Sequence, residues 1–540
     1  MFPANFSFFK TLFIYFLSFF LTKYCNPKIL RRSLSNLYSS QSKYQKYPSL
    51  SHRSDLSNKV LIFNVEGTLL KSPSLFPYFM LVAFEGGSIL RAFILFLLYP
   101  LICLVGEDRE MGLKIMVMVS FFGVKKDSLR VGRAVLAKFY LEDVGFEAFE
   151  VLKRGGVKVG VSDFPRVMIE SFLKDYLEVD FVVGRELKSV CGYFVGVLED
   201  KSKNKHVLNV AEKICNQDVV GITRFRRSQD HDHQLFSYCK EIYLVRKTDK
   251  RSWQTLPKQN YPKALIFHDG RLASRPTPLA TLALLMWVPF SSILVLIRAV
   301  AALSLPHSIS FPILAFSGFR CTISQPISST TELNNNNKNP PQKGLLYVCN
   351  HRTLLDPLYL SYSLNKDVTA VTYSLSRMSE ILSPIKTVRL TRNRDEDGKM
   401  MEKLLNEGDL VVCPEGTTCR EPYLLRFSPL FAEMSDKIVP VALNTHVSMF
   451  HGTTAGGLKC LDPLFFLMNP QPTYTIQILD SVSGLSDRDQ NSRFDVANYV
   501  QSEIGKTLGF ECTKLTRRDK YLILAGNEGF TTSQSSKKLH

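Results

Sequence analysis

Closely spaced cysteine pairs and metal-ligand patterns are missing from this sequence. Its 11 cysteines include no Cys-x-x-Cys pair, and their number is odd. This argues against a disulfide framework or a structural metal site and favours reduced thiols facing the cytosol. Internal repeats are also absent. With 45% hydrophobic and 21% charged residues over 540 positions, the chain fits neither a disordered protein nor a polytopic transporter, and it can form two or more domains.

Acidic residues are absent from the start of the chain, since none precedes Asp55. Residues 5–22 are apolar and aromatic apart from Lys10 and small polar residues. Four basic residues follow closely: Lys23, Lys28, Arg31 and Arg32. The pattern predicts that residues 1–54 are an apolar membrane anchor with a basic, cytosolic linker. A mitochondrial presequence is the alternative, because the same stretch is rich in serine and free of acids.

Two further apolar zones, at 75–105 and 279–305, lack an uninterrupted run of spanning length. They are interrupted by Glu85, Arg91 and Pro100 in the first zone, and by Pro289 and Arg298 in the second. Because the pieces are short for ~30 Å of hydrocarbon, we predict helices that lie in or dip into one leaflet. A span at 279–297 and buried core helices are the alternatives. Beside such segments, the net charge of +18 favours anionic lipid headgroups or small anionic substrates over nucleic acid.

Short β-branched apolar runs separated by helical patterns indicate an α/β protein with two domains. The first domain is predicted at 55–270 and the second at 279–515, with its apolar helices at 279–305 and a polar tail at 516–540. Runs that predict strands of the first domain lie at 59–65, 157–163, 180–184 and 219–223. Those of the second domain lie at 344–350, 368–373, 409–413, 438–443 and 474–479.

The second domain carries the clearest chemical motif, VCNHRTLLDP. His351 and Asp356 are five residues apart, where an apolar strand ends and a helix is expected to begin. A carboxylate at that position can accept a hydrogen bond from one imidazole nitrogen and leave the other free as a base. It also favours the imidazolium that forms after proton abstraction. Such a pair alone is weak evidence for catalysis, because the two side chains often only satisfy each other's hydrogen bonds in a protein core.

Three further segments downstream give the motif its context. The segment VRLTRNR contains Arg389, Arg392 and Arg394, whose guanidinium groups suit a doubly charged phosphate, although a solvated basic turn is the alternative. The segment PEGT follows a strand, and we expect Glu415 to bind a hydroxyl. Finally, Val439-Pro440 ends a strand with an apolar wall.

In their order and spacing these four elements, over residues 340–450, resemble the PlsC-like glycerolipid acyltransferases. The resemblance implies that His351 is the general base and that Asp356 orients it. Arg392, with Arg389 or Arg394, would bind the phosphate of the acceptor. Glu415, Gly416 and Thr417 would shape the acceptor pocket, and Pro440 would border the acyl chain. Acyl-CoA would be the co-substrate, and neither a metal nor another cofactor would be needed.

In the first domain, the segment NVEGT at 64–68 resembles the phosphatase loop of the haloacid dehalogenase-like (HAD-like) family. Asn64 stands where that family has its nucleophilic Asp, and Glu66 where it has its acid and base. By this resemblance Ser162 and Lys205, or alternatively Lys203, would hold phosphate. An amide cannot attack phosphorus, and the expected magnesium-binding acids are misplaced. We therefore predict a degenerate phosphatase site that does not depend on Mg²⁺.

From about residue 55 to 527 the whole chain resembles the land-plant sn-2 glycerol-3-phosphate acyltransferases. The resemblance implies two α/β domains, an apolar helical cap at about 75–150, and a lysophosphatidic acid product that keeps its phosphate. The alternatives are a lysophospholipid acyltransferase, a bifunctional enzyme that releases monoacylglycerol, a phosphatase, and a non-enzymatic membrane scaffold. Lys537 and Lys538 near the end predict an endoplasmic reticulum membrane protein with a cytosolic active site. A mitochondrial membrane is the alternative.

Overall fold

The structure is a computed structural model, and it describes residues 44–50, 53–107, 109–127, 129–199, 210, 212, 218–224, 234–325, 344–373, 377–435, 437–483 and 493–526. Several predictions concern residues outside these ranges: the apolar segment at 5–22, Lys203, Lys205, Lys537 and Lys538.

The chain divides into two compact units. The first comprises the residues up to Leu129 and Phe139–Lys263, and the second comprises Arg130–Lys138 and the residues from Ala264 onward. The segment 130–138 lies within the region predicted as the cap, yet it joins the second unit. The reason is local, because the Asp269 N–H donates to the Ala134 carbonyl at 2.8 Å and the Lys138 ammonium donates to the Ala273 carbonyl at 3.3 Å.

The first unit is built on a parallel sheet of six strands. These are β1 (Tyr44–Lys46), β2 (Val60–Asn64), β3 (Val157–Pro165), β4 (Phe181–Arg185), β7 (Val219–Arg224) and β8 (Glu241–Val245), in the order β1-β8-β7-β2-β3-β4, and a separate hairpin joins β5 (Leu187–Val190) and β6 (Tyr193–Leu198). The four strands predicted for this domain are confirmed. The prediction of a linker throughout 1–54 is wrong at its end, because β1 pairs with β8.

Four helices follow β2 and correspond to the apolar zone at 75–105 and its continuation. They are α1 (Phe76–Glu85), α2 (Ile89–Leu97), α3 (Tyr99–Val105) and α4 (Glu110–Phe121). Gly86 and Gly87 separate the first two, and Pro100 opens the third. Further helices before Ala264 are α5 (Ala137–Leu141), α6 (Phe146–Arg154), α7 (Arg166–Ser171) and α8 (Lys247–Ser252). Short 3-10 or π turns lie at Tyr47–Ser49, Asp55–Asn58, Val65–Leu69, Gly132–Leu136, Phe172–Tyr176, Gln234–Tyr238 and Lys258–Asn260.

The second unit contains an eight-stranded mixed sheet. Its strands are β9 (Arg320–Ser324), β10 (Leu346–Cys349), β11 (Thr369–Thr372), β12 (Thr387–Arg389), β13 (Leu410–Val412), β15 (Lys437–His446), β16 (Thr473–Ile478) and β17 (Val482–Ser483). The path runs β12-β11-β13-β10-β15-β16-β9, and β17 pairs with β15. A separate pair joins β14 (Tyr423–Leu424) and β18 (Glu511–Cys512). All five predicted strands are confirmed.

The central strands β10 and β13 are buried on both faces of the sheet, which explains why they are continuous apolar runs. In β10, Leu346 and Val348 face one hydrophobic core while Tyr347 and Cys349 face the other. The helices of the unit are α9 (Pro278–Ser304), α10 (His307–Phe316), α11 (Asp356–Leu364), α12 (Arg377–Ile381), α13 (Arg394–Glu407), α14 (Asp462–Leu467), α15 (Arg493–Leu508) and α16 (Arg517–Ala525), with short 3-10 turns at Pro429–Glu433 and Lys459–Leu461. Because side chains of a strand alternate between faces, helices must cover both sides.

The apolar zone at 279–305 forms one helix, so the prediction that Pro289 and Arg298 split it is wrong. α9 has 27 residues, and a window of mean hydropathy 2.2 makes it long and apolar enough to cross a membrane by length and composition. A proline inside a helix removes one hydrogen bond but does not have to end it. Arg298 is fully buried in protein, and its guanidinium donates to carbonyl groups of the chain at 467–470 and 317.

Candidate active site

The two predicted catalytic residues lie where a buried strand of the second unit ends and a helix begins. β10 ends at Cys349, His351 follows two residues later, and Asp356 is the first residue of α11. Nδ1 of His351 is 2.9 Å from Oδ2 of Asp356. The predicted pairing of these side chains is therefore present. It leaves Nε2 as the ring nitrogen available for proton transfer.

Asp356 is fully buried and is held by donors other than the histidine. The N–H groups of Arg352 and Thr353 donate to Oδ2 at 2.6 and 2.9 Å. The Tyr474 hydroxyl, from β16, donates to Oδ1 at 2.8 Å. The carboxylate also stands at the N-terminus of α11, where backbone N–H groups lack partners within the helix. Its position is thus fixed from several directions, as an orienting residue requires.

The ionisation of His351 depends on three features of its surroundings. Burial opposes protonation, but the Cys413 sulfur and the Asp356 carboxylate outweigh burial and raise the pKa of His351 above its ordinary value of 6.5. The Cys349 thiol, 3.4 Å away, and burial raise the pKa of Cys413 well above 9.0. Cys413 is therefore a neutral thiol near pH 7, and we attribute the raised pKa of His351 to Asp356. The imidazolium formed by proton abstraction is thus stabilised.

Glu415 contacts backbone groups in the structure, and its predicted role in binding a substrate hydroxyl stays a prediction. It follows β13, which pairs in parallel with β10, so it lies at the same sheet edge as His351. Its two carboxylate oxygens accept hydrogen bonds from the His351 N–H at 2.7 Å and the Leu425 N–H at 3.0 Å. Burial raises the pKa of Glu415 to about 7, and the two backbone hydrogen bonds oppose that rise. Glu415 therefore positions the backbone of His351.

His351 opens into a cavity of about 290 Å³ in the second unit. One part of its lining is apolar and includes residues of α9 and α11, among them Ala299, Leu303 and Leu358. Another part is polar and includes Gly416 and Thr417, the two residues expected to shape the acceptor pocket. Gly416 has a φ of +65°, and a Cβ there would meet open space. The left-handed backbone, not crowding, therefore explains this glycine.

The predicted phosphate-binding arginines lie outside the lining of this cavity. Arg389 forms an ion pair with Glu380 at 2.7 Å, and Arg394 forms one with Glu433 at the same distance. Arg392 has a positive φ of 70° and its guanidinium lies 6.0 Å from the ring centre of Tyr373, which does line the cavity. Arg392 therefore contacts a residue of the cavity lining, and its predicted role in binding phosphate stays a prediction.

Pro440 also lies outside the cavity lining. It is buried in β15, where it pairs with Val348 of β10. Its carbonyl accepts a hydrogen bond from the N–H of Leu479 at 2.9 Å. The apolar wall of the cavity is instead formed by side chains such as Val371 and Val412. Pro440 therefore supports the sheet beneath the site.

Three residues that the sequence reading missed line the same cavity: Lys459, Arg517 and Tyr521. The Lys459 ammonium donates a hydrogen bond to the Tyr521 hydroxyl, and the Arg517 guanidinium lies 4.9 Å from the centre of the Tyr521 ring. They come from segments more than 100 residues after His351 in the chain. Only the spacing of Arg517 and Tyr521, one helical turn apart, could have indicated a shared face.

The first unit brings Asn64, Glu66 and Ser162 together at the carboxyl ends of β2 and β3. The Glu66 carboxylate accepts hydrogen bonds at one oxygen from the Ser162 hydroxyl, from the Asp163 N–H at 3.1 Å and from the Phe164 N–H at 3.2 Å. Burial raises the pKa of Glu66 to about 7, Asp163 adds to the rise, and the Ser162 hydrogen bond opposes it. These three donors contact the Glu66 carboxylate in the way that they would contact a bound anion such as phosphate.

Asn64 is also occupied within the chain. Its side-chain oxygen accepts a hydrogen bond from the Gly67 N–H at 2.5 Å. The sequence reading missed Lys250 of α8, whose ammonium donates to the Glu66 carbonyl at 2.7 Å. Where the magnesium-binding acid was expected, β7 presents Thr223. The predicted positions of Asn64, Glu66 and Ser162 thus converge. The side-chain oxygen of Asn64 and one oxygen of Glu66 accept hydrogen bonds from the same unit, while the other Glu66 oxygen is buried without a hydrogen-bond partner among the described residues.

The matches to known families agree with these two units. A family model described as "Glycerol-3-phosphate acyltransferase RAM2-like, HAD-like domain" matches residues 60–245, and one described as "Acyltransferase" matches residues 330–444. Fold and site together therefore define an α/β acyltransferase that carries a HAD-like unit. This confirms the predicted fold class and the predicted enzyme class.

Curated relatives narrow the class further. The chain is 60% identical to probable glycerol-3-phosphate acyltransferase 3 of Arabidopsis thaliana, over 97% of this chain and 99% of the relative. It is 45% identical to glycerol-3-phosphate acyltransferase 1 of the same species, over 93% and 88%. It is 42% identical to glycerol-3-phosphate acyltransferase RAM2 of Petunia hybrida, over 87% and 98%. The chain belongs to the plant glycerol-3-phosphate acyltransferase family.

Solved structures align with parts of this chain. The alignment with the 1-acyl-sn-glycerophosphate acyltransferase PlsC of Thermotoga maritima covers 43% of this chain and 97% of the PlsC chain, with 14% identity and a TM-score of 0.27. A phosphoserine phosphatase in its apo form covers 35% and 86%, with 16% identity and a TM-score of 0.22. At these scores the alignments add nothing to the family assignment.

Proposed function

We propose that this protein transfers an acyl group from acyl-CoA to the sn-2 hydroxyl of glycerol 3-phosphate and releases lysophosphatidic acid. The observation that carries the proposal is the His351–Asp356 pair, which opens into a cavity with an apolar wall on one part and cationic side chains on another. The names of the relatives support glycerol 3-phosphate as the acceptor. The sn-2 position rests on the family resemblance alone.

The chemistry needs one base and no covalent enzyme intermediate. Nε2 of His351 takes the proton of the acceptor hydroxyl as its oxygen attacks the thioester carbonyl carbon. The C–S bond then breaks, and the proton passes from the imidazolium to the leaving thiolate of CoA. Asp356 stabilises the imidazolium during this step, and Glu415 holds the backbone that carries His351. Base strength and positioning are the contributions these residues can make.

Retention of the phosphate on the product is supported by the first unit. The Glu66 carboxylate occupies the donors of Ser162, Asp163 and Phe164, so a phosphate group would have to displace a buried side chain to reach them. Asn64 offers an amide in place of a nucleophilic carboxylate. We therefore place the reaction's end at lysophosphatidic acid, and not at monoacylglycerol, with no Mg²⁺ requirement.

A membrane location is supported by apolar surface on each unit. On α9, the side chains of Leu279, Phe290, Ile293 and Leu296 are at least 62% exposed. On α2 and α3, those of Leu90, Leu97 and Leu104 are at least 58% exposed. Contiguous exposed apolar faces of this kind mark interaction surfaces. We propose that both faces contact lipid and that the protein resides in the endoplasmic reticulum membrane with a cytosolic active site, the mitochondrial membrane being the alternative.

Product analysis tests the proposal. Microsomes containing the full-length protein are incubated with glycerol 3-phosphate and labelled acyl-CoA, and the products are separated by position and phosphate content. We expect 2-acyl lysophosphatidic acid from the wild type, none from His351→Ala, and wild-type amounts from His446→Ala, a matched exposed histidine. Acylation only of added lysophospholipids would favour a lysophospholipid acyltransferase, and labelled monoacylglycerol would favour the bifunctional alternative.

A further inference from the structure

The last described helix, α16, forms part of the cavity that contains His351. Its first turn is closed by a capping box in which Asp519 accepts hydrogen bonds from the Thr516 N–H at 2.8 Å and the Thr516 hydroxyl at 2.7 Å. Arg517 and Tyr521 are four residues apart, and both line the cavity. Since side chains at this spacing share a helix face, α16 presents one polar face to the site.

Lys520 fixes this helix to the catalytic motif. Its ammonium is buried and donates hydrogen bonds to the Thr418 carbonyl, to the Thr418 hydroxyl at 3.2 Å and to the Thr417 hydroxyl at 3.3 Å. Those threonines follow Glu415, which in turn holds the backbone of His351. The position of α16 relative to His351 is therefore determined by a continuous set of hydrogen bonds within the second unit.

Two cationic groups contact Tyr521 inside the cavity. The Lys459 ammonium hydrogen-bonds to the Tyr521 hydroxyl and lies 4.9 Å from its ring centre, and the Arg517 guanidinium lies 4.9 Å from that ring centre. Contact with the negative faces of the ring holds two like charges near each other. The arrangement is pre-organised before any substrate binds.

Positive charge exceeds negative charge around this part of the cavity. Among the described residues that line this cavity, Asp462 is the one acid, and it forms an ion pair with Arg271 at 2.7 Å. Burial lowers the pKa of the Arg517 guanidinium below its ordinary value, the Tyr521 hydroxyl opposes that change, and the charge of Arg392 adds to it. Like charges that are brought together in a cavity repel, and a bound dianion relieves that repulsion. A phosphate monoester supplies about two negative charges and several acceptor oxygens.

We propose that Lys459, Arg517 and Tyr521 form a phosphate-binding subsite of the acyltransferase cavity. The proposal rests on the proposed function, because both of its substrates carry phosphate. The phosphate of glycerol 3-phosphate and a phosphate of CoA offer the same chemistry to these side chains. Arg517 and Lys459 would each donate charge-assisted hydrogen bonds to the phosphate oxygens, and Tyr521 would hold the two cations at the required separation.

Steady-state kinetics of the full-length protein in microsomes test the subsite and identify its phosphate. Arg517→Gln and Lys459→Gln are compared with Arg426→Gln and Lys366→Gln, which replace exposed cations outside the cavity. We expect each subsite variant to raise one KM by about tenfold or more, since a hydrogen bond to a charged group is lost, while the controls stay at wild-type values. A rise confined to glycerol 3-phosphate assigns the acceptor phosphate, and a rise confined to acyl-CoA assigns a phosphate of CoA.

A second measurement separates failure of the subsite from failure of the proposed function. Binding of inorganic phosphate to the detergent-purified full-length protein is measured by calorimetry for the same variants. Unchanged KM values in folded, active variants, or phosphate binding equal to the wild type, would overturn the subsite. If the wild type shows no activity with glycerol 3-phosphate but loses phosphate binding on substitution of Arg517 or Lys459, the subsite stands and the acceptor assignment falls.

Discussion

At the scale of single residues, the His351–Asp356 pair makes a prediction about pH. His351 must be neutral to act as a base, and its pKa is raised above 6.5 by Asp356. Activity should therefore be lost as the pH falls through a value above 6.5. Asp356→Asn removes the charge, so we expect the acidic limb of the kcat/KM profile to move to lower pH and the maximum to fall by about 10³-fold. The measurement is the pH–rate profile of both proteins, and an unmoved limb would contradict this assignment.

Glu66 makes a second prediction, about the stability of the first unit. The raised pKa, about 7 in the folded state against 4.5 ordinarily, means that the native state favours the protonated carboxyl. The stability from this preference is complete below about pH 4.5 and is lost as the pH rises through 7. Glu66→Gln keeps the acceptor oxygen and cannot ionise. The difference in free energy of unfolding between Glu66→Gln and the wild type should therefore increase in favour of the variant between pH 5 and 8, by on the order of 3 kcal/mol.

A fluorescence probe can restrict this measurement to the first unit. The chain has two tryptophans, of which Trp253 is buried in the first unit and Trp287 belongs to α9. In a Trp287→Phe background, unfolding of the full-length protein followed at Trp253 reports the first unit. Glu178→Gln, which replaces an exposed acid of the same unit, is the matched control. A difference between wild type and Glu66→Gln that does not change with pH would show that Glu66 stays ionised in the native state.

At the scale of elements, α9 is held in place by Arg298. The guanidinium donates to the Asn469 and Pro470 carbonyls at 2.7 and 3.1 Å and to the Ser317 hydroxyl at 2.9 Å, among five hydrogen bonds. Arg298→Lys keeps the charge but has only three donors on a narrower head group. Buried carbonyls left unpaired cost about 1–3 kcal/mol each. We therefore expect a loss of about 3 kcal/mol or more in the stability of the second unit.

The test of Arg298 uses the remaining tryptophan. In a Trp253→Phe background, unfolding of the full-length protein followed at Trp287 reports α9 and its surroundings. Arg320→Lys, at an exposed position of β9, is the control and should leave the transition unchanged. Equal unfolding transitions for Arg298→Lys and Arg320→Lys would mean that the buried guanidinium contributes little beyond its charge.

The same elements show how far sequence reasoning reaches. Strands such as β10 and β13 were predictable because a parallel strand buried on both faces is a continuous apolar run. β9 was missed because it is mostly exposed, and its sequence RCTIS is partly polar. The predicted break of α9 was wrong because Arg298 finds acceptors at and just after the end of α14, about 170 residues away. That partnership depends on tertiary structure, which hydropathy along the chain does not contain.

At the scale of the whole molecule, the candidate site likewise contains some residues that could be predicted from the sequence and others that could not. His351 and Asp356 could be predicted because one strand end and one helix start, five residues apart, bring them together. Lys459 and Arg517 could not, because they reach the cavity from segments about 110 and 165 residues beyond His351. The position of Glu415 beside His351 could be predicted, but its contacts could not, because its oxygens accept hydrogen bonds from backbone N–H groups that no side-chain pattern reveals.

The proposed membrane contact makes the final prediction, at the scale of the molecule in its bilayer. Trp287 lies on α9 between Met286 and Phe290, whose side chains are 59% and 63% exposed, and its indole N–H donates to the Met468 carbonyl at 2.8 Å. If the exposed face of α9 contacts acyl chains, phospholipids brominated on their acyl chains will quench Trp287 when the full-length protein is reconstituted with them. Trp253 is buried in the first unit and should be quenched far less.

Two single-tryptophan variants allow the quenching of Trp287 and of Trp253 to be compared within the same protein. We expect strong quenching in Trp253→Phe, which retains Trp287, and weak quenching in Trp287→Phe, which retains Trp253. Replacing Phe290 by Glu should reduce the quenching of Trp287, because a carboxylate at that position resists transfer into hydrocarbon. Tyr499→Glu, at an exposed position of α15, should not. Equal, weak quenching in both single-tryptophan proteins would remove α9 from the lipid contact and leave its apolar face to a partner other than the bilayer.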